Sequence, residues 1–98
     1  MNEPLQPEHR RCCRVTYEGR VQGVGFRFTT ASAAKVCHVN GYVRNRADGT
    51  VELVAEGSSR NVERLLESLS QTFAGSIAGQ TVEEIAQSDP LRGFEIRR

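Results

Sequence analysis

The chain has 98 residues, enough for one domain and not two. Its 13 Lys+Arg balance 12 Asp+Glu, for a formal net charge of +1, which speaks against the basic surface of a dedicated nucleic-acid binder. No apolar run approaches the ~20 residues of a transmembrane helix, and the opening MNEPLQPEHRR has no apolar segment of signal-peptide type.

Prolines, charges and missing periodicity make residues 1–10 an expected flexible tail, and 11–98 a single domain. Residues 11–18, RCCRVTYE, then alternate. Cys13, Val15 and Tyr17 fall on one side and Cys12, Arg14, Thr16 and Glu18 on the other, the pattern of a half-buried strand. Gly19 ends it. From Phe26 the period changes. Phe26, Thr29, Thr30, Ala33, Val36 and Cys37 are spaced as one helix face, and HVNG closes the helix.

GYVRNRADGTVELVAEG reads as a hairpin with arms Tyr42–Arg46 and Thr50–Glu56 and its turn at Asp48-Gly49. Val51, Leu53 and Ala55 share its buried side. Ser58 or Ser59 caps a second helix whose face is Val62, Leu65, Leu66, Leu69 and Phe73. AGSIAGQ is expected as a loop. TVEEIAQ and RGFEIRR alternate again, with Phe94 and Ile96 together. The order is βαββαβ, with one strand of the last pair short. Two single-faced helices and an alternating sheet predict an α+β, ferredoxin-like split βαβ sandwich, with both helices on one face of an antiparallel sheet.

The stretch VQGVGFR, Val21 to Arg27, places two glycines and an arginine at a helix start. The first N–H groups of a helix lack internal partners and carry the positive end of its dipole. Glycines can turn the preceding amides the same way and form a concave anion nest. An arginine adds a fork that grips two oxygens of a tetrahedral anion. Gly23, Gly25 and Arg27, with the amides of Gln22, Val24 and Phe26, are therefore a candidate phosphate cradle. The G-x-G-x-x-G pattern fails because Phe28 stands at its third glycine, and no Gly-Lys-Ser/Thr of a P-loop follows. The plainer alternative is a tight turn with a solvated first-turn arginine. Asn45 lies 18 residues after Arg27. A helix of about 11 residues leads ~16 Å away, and a strand of five or six returns ~17–20 Å. Asn45 is thus expected back at the edge where Arg27 began. Taken alone, it reads equally as a turn-former before Asp48-Gly49.

Three cysteines, Cys12, Cys13 and Cys37, are odd in number, include an adjacent pair and form no C-x-x-C. No disulfide framework is expected, and a reducing cytoplasm is. Together with His38 they fit no zinc spacing, so no metal site is expected. His38 belongs at the helix end far from the cradle, and His9 in the tail.

GRVQGVGFR (Gly19–Arg27) followed by GYVRN (Gly41–Asn45) resembles the acylphosphatase family, and ADGTVE (Ala47–Glu52) and the terminal GFEIRR (Gly93–Arg98) fit the same pattern. The resemblance covers residues 11–98. It implies a small cytoplasmic hydrolase of ferredoxin-like fold that cleaves the carboxyl–phosphate anhydride of acyl phosphates without metal or cofactor. It implies that Arg27 binds the phosphate, that the loop Gly19–Gly25 lends amides, and that Asn45 positions the attacking water. Gly25 stands where members often have a larger residue or Cys, and Thr72–Gly79 is less typical. The expected partners are an acyl phosphate and inorganic phosphate. No nucleic acid or membrane is expected, and the domain is taken as a monomer. The alternatives are a non-catalytic anion-binding or protein-contact module on the same fold, and a carbamoyl-phosphate-handling domain, against which the length argues. Nothing in the sequence reads as a pocket for the acyl group.

Overall fold

A computed structural model describes residues 9–86 and 89–98. Of the expected tail, residues 1–8 lie outside the described residues, and Arg10 already pairs with Ser58 as the first residue of a strand. The elements in chain order are β1 (Arg10–Gly19), α1 (Phe26–Cys37), β2 (Asn40–Asn45), β3 (Val51–Ser58), α2 (Ser59–Thr72), β4 (Ile77–Glu84) and β5 (Phe94–Arg97). Among the described residues, no helix is long and apolar enough to cross a membrane.

The alternation in β1 does what its period requires. Cys13, Val15 and Tyr17 are buried, and they join Val43, Val51, Leu53 and Ala55 of β2 and β3 in one core. Both helices close that face. Val62, Leu65 and Leu69 of α2 are fully buried at i, i+3 and i+7, each contributing roughly 1.5–3 kcal/mol. Ser58 caps α2 by accepting from the Asn61 amide at 3.1 Å. The strand order β4-β1-β3-β2-β5 places β3 between β1 and β2, which defines a split βαβ.

Three expectations need correction. The buried line of α1 is Phe26, Thr30 and Ala34, while Val36 is 78% exposed and Cys37 only half-buried. A helix start rich in Thr, Ala and Ser has little apolar contrast, so its face is weakly marked in sequence. The AGSIAGQ segment is not all loop: β4 begins at Ile77. Its first half, IAGQ, lies on an edge strand and lacks the apolar–polar alternation that marks half-burial. Finally, the sheet is antiparallel in three pairings, but β5 runs parallel to β2. The reason lies at one end of the sheet. The Ile85 amide donates to the Cys12 carbonyl. The Leu91 amide donates to Glu56 at 2.8 Å, the Asn40 side chain donates to the Leu91 carbonyl, and the Gly41 amide donates to that of Gly93. These bonds carry the chain across the ends of β1, β3 and β2 before it turns up beside β2.

Candidate active site

The loop between β1 and α1 has a backbone that side chains oppose. Gly23 and Gly25 have φ of +79° and +80°, the left-handed region open to glycine at little cost. A Cβ built on either would meet nothing within 4 Å, so their need for glycine is conformational and not steric. Gly25 is also the N-cap of α1, and it offers no side-chain bond to the first-turn amides. A helix N-terminus and its positive dipole end are therefore left uncapped beside the loop.

Buried side chains fix this junction on both sides. Phe26 packs against Tyr17 at 5.0 Å and Phe73 at 4.6 Å between ring centroids. Gln22 does more than its expected part as an amide donor. Its side-chain NH₂ donates to the carbonyls of Arg46 and Thr50, at 2.8 and 2.9 Å. Both carbonyls flank the β2–β3 turn, so Gln22 staples the loop to the hairpin that carries Asn45. The turn itself is tied by Asp48, whose carboxylate accepts from the Thr50 amide and hydroxyl. This bonding holds the Asp48 carboxyl below its usual range.

The two halves meet at a pocket of about 190 Å³ lined by Val21, Gly23, Gly25, Phe26, Arg27, Phe28, Asn45 and Ile96. Gly23, Gly25, Phe26, Arg27 and Asn45, all singled out from sequence, are thus brought together, while Gln22 and Val24 stand in the loop outside the lining. The return of Asn45 follows from length: 12 residues of α1 cover about 18 Å, and six of β2 return about 20 Å. His38 instead ends α1 in a left-handed conformation with φ +60°, at the far end of the helix.

Two features give the pocket its chemistry. Arg27 makes no ion pair with any described residue, so its guanidinium is not committed to a protein carboxylate. The carboxamide Oδ1 of Asn45 is buried without a hydrogen-bond partner among the described residues. A buried acceptor left unmade costs about 1–3 kcal/mol, which a ligand donor would recover. The pocket wall carries no Asp, Glu, His, Cys or Lys.

Behind Asn45, on the sheet face away from the helices, sits a cluster that the sequence reading missed. Glu52 is only 4% exposed, and it accepts from Arg14, Arg44 and Arg46. Burial alone would push its carboxyl up, but the bonds from Arg44 and Arg46 outweigh that and hold it below the ordinary carboxylate range. The only sequence signal was a Glu at an alternating position, opposite Arg44 on β2 and Thr16 on β1, which reads as surface charge. Cys13 and Cys37 are free thiols, the first buried and the second half-buried. Among the described residues, no cluster of His, Cys, Asp and Glu is arranged to hold a metal ion.

The acylphosphatase family's sequence profile matches residues 13–96, nearly all of the domain. The chain belongs to the acylphosphatase family. It is 43% identical over 86 residues to an acylphosphatase of Cupriavidus necator, covering 86% of this chain and 90% of the relative. It is 39% identical over 84 residues to one of Trichormus variabilis, covering 86% and 83%. The crystal structure of acylphosphatase from Bacillus subtilis superposes with a TM-score of 0.81 at 32% identity, covering 89% of this chain and 98% of that one. The chain is therefore an enzyme of this family, built on the ferredoxin-like α+β fold.

Proposed function

We propose that the protein hydrolyses the carboxyl–phosphate bond of acyl phosphates to a carboxylate and inorganic phosphate. In this reading the phosphoryl group sits in the loop. The amides of Gln22, Gly23, Val24, Gly25 and Phe26 and the guanidinium of Arg27 take its oxygens. The Oδ1 of Asn45 accepts a hydrogen bond from the attacking water and aims its lone pair at phosphorus. Water oxygen bonds to phosphorus, and the bond from phosphorus to the acyl oxygen breaks. The carboxylate leaves with the electron pair. The water proton passes to a phosphoryl oxygen, since a carboxamide is no base at neutral pH.

This division suits a wall without titrating groups. A carboxylate is a good leaving group and departs without protonation. The transition state for phosphoryl transfer is loose, with charge spread over the phosphoryl oxygens. Orientation and preorganised positive charge are then the main requirements. The observation that carries the reading is the convergence on one pocket of an uncommitted Arg27, the unpartnered Oδ1 of Asn45 and two left-handed glycines at an uncapped helix start. An odd number of cysteines with no C-x-x-C favours a reducing, cytoplasmic setting. Hydrolysis of benzoyl phosphate, followed in the ultraviolet, tests the proposal. The wild type should turn it over with phosphate as a competitive inhibitor. Arg27→Ala should lose both turnover and inhibition while unfolding at a similar temperature. A wild type that binds phosphate without turnover would refute the proposed activity.

A further inference from the structure

Five large hydrophobic residues are exposed among the described residues: Val24, Phe28, Val36, Val82 and Ile96. Isolated ones need no explanation. Phe28 and Ile96 are different, because both line the pocket that holds Arg27 and Asn45. Phe28 is 72% exposed, and it lies two residues after the buried Phe26, about 200° further round α1. It therefore adds nothing to the core. Ile96 reaches the pocket from β5, whose register beside β2 pairs it with Val43. It is 43% exposed, whereas its strand neighbour Phe94 is packed against the core. A helix and a distant strand thus present apolar side chains at one opening.

The phosphoryl oxygens require only the loop, Arg27 and Asn45. The rest of the wall, Phe28 and Ile96, has no polar atom to offer an anion. Arg27 carries the only charge in the lining. We propose that Phe28 and Ile96 form the acyl-group subsite of this enzyme, so that its substrates are acyl phosphates with an apolar, aromatic or branched acyl group. The inference rests on the acyl phosphate hydrolysis proposed above. An aromatic acyl group would stack on Phe28 and lie against Ile96. A charged acyl group would have no second cation to meet it and would lose water without compensation.

The test compares kcat/KM for benzoyl phosphate and acetyl phosphate in the wild type, Phe28→Ala and Ile96→Ala, with the inhibition constant of inorganic phosphate measured beside them. The exposure of Phe28 lets its variant fold, and Ile96→Ala reads the other wall independently. The benzoyl-to-acetyl ratio should fall about tenfold in Phe28→Ala, the low end of what a lost apolar contact costs a binding pocket. It should fall in the same direction in Ile96→Ala. Phosphate inhibition should stay within about twofold, because the cradle is untouched. A ratio unchanged in both variants overturns the subsite. So does a fall of both substrates in step with weaker phosphate inhibition. Turnover in the wild type without a change of ratio sinks the subsite alone. A wild type that hydrolyses neither substrate sinks the activity, and the subsite with it.

Discussion

Replacing Gly25 by Ala isolates the backbone geometry of the cradle. The φ of +80° must be kept if the loop is to keep its shape. No atom lies within 4 Å of the added methyl, so the cost is backbone strain alone. A side-chain-bearing residue in the left-handed region costs about 1–2 kcal/mol. For a domain of this size each kcal/mol moves Tm by roughly 4–8 °C. Gly49 provides a matched control: its φ is +92°, a Cβ there also meets nothing, and it lies in the β2–β3 turn outside the pocket lining. Gly25→Ala and Gly49→Ala should therefore lose similar stability in phosphate-free buffer. They should part when phosphate is added. At ten times its Kd a ligand stabilises the native state by about 1.4 kcal/mol. Thermal unfolding with and without phosphate should show that gain in the wild type and Gly49→Ala, and a smaller one in Gly25→Ala. If all three chains gain equally, the left-handed loop is not what holds phosphate.

Further predictions follow from buried polar groups and from the site's composition. The Tyr17 hydroxyl is buried without a partner among the described residues, and burial pushes its pKa up. Tyr17→Phe should thus unfold at equal or higher denaturant, by up to about 1–2 kcal/mol. The same logic makes Thr30→Val neutral or stabilising. The Glu52 carboxyl is lowered in the folded state, so its stabilisation is complete above the unfolded value near 4.5 and is lost as pH falls through the lower folded value. Glu52→Gln should cost about 2 kcal/mol at pH 7 and flatten the acid limb of the stability profile; an acid limb identical to the wild type's would contradict this. Activity should survive EDTA, since the proposed steps use only Arg27, Asn45 and backbone amides. Loss of activity restored by zinc or magnesium would overturn that mechanism.

The sequence was legible where burial is one-sided and local. Cys13, Val15 and Tyr17, the Asp48-Gly49 turn and the stripe of α2 all carry their own period or turn chemistry. The convergence of Arg27 and Asn45 was legible too, because helix and strand lengths nearly cancel. Legibility failed where a neighbour distant in sequence decides. The face of α1 is set by what it covers, and its small residues leave the choice open. The parallel entry of β5 depends on Glu56 and Asn40 gripping Leu91. Glu52 sits at an outward position of an alternating strand, and its burial is decided by Arg14, Arg44 and Arg46 closing over it. Phe28 and Ile96 are 68 positions apart, and no local pattern places them at one opening.

The division of labour between Arg27 and Asn45 is the center of the account, and kcat of Asn45→Ala, measured beside phosphate inhibition, tests it most directly. A group that touches only the attacking water contributes only in the transition state, so its loss lowers kcat and kcat/KM together. The expected loss is on the order of 10²–10³-fold, as for one oxyanion donor, with phosphate inhibition little changed. Arg27→Ala should differ by raising KM as well as lowering kcat. A near-normal kcat in Asn45→Ala would contradict the account, leaving Asn45 as a strand-end residue and the cradle as a binding site without its water.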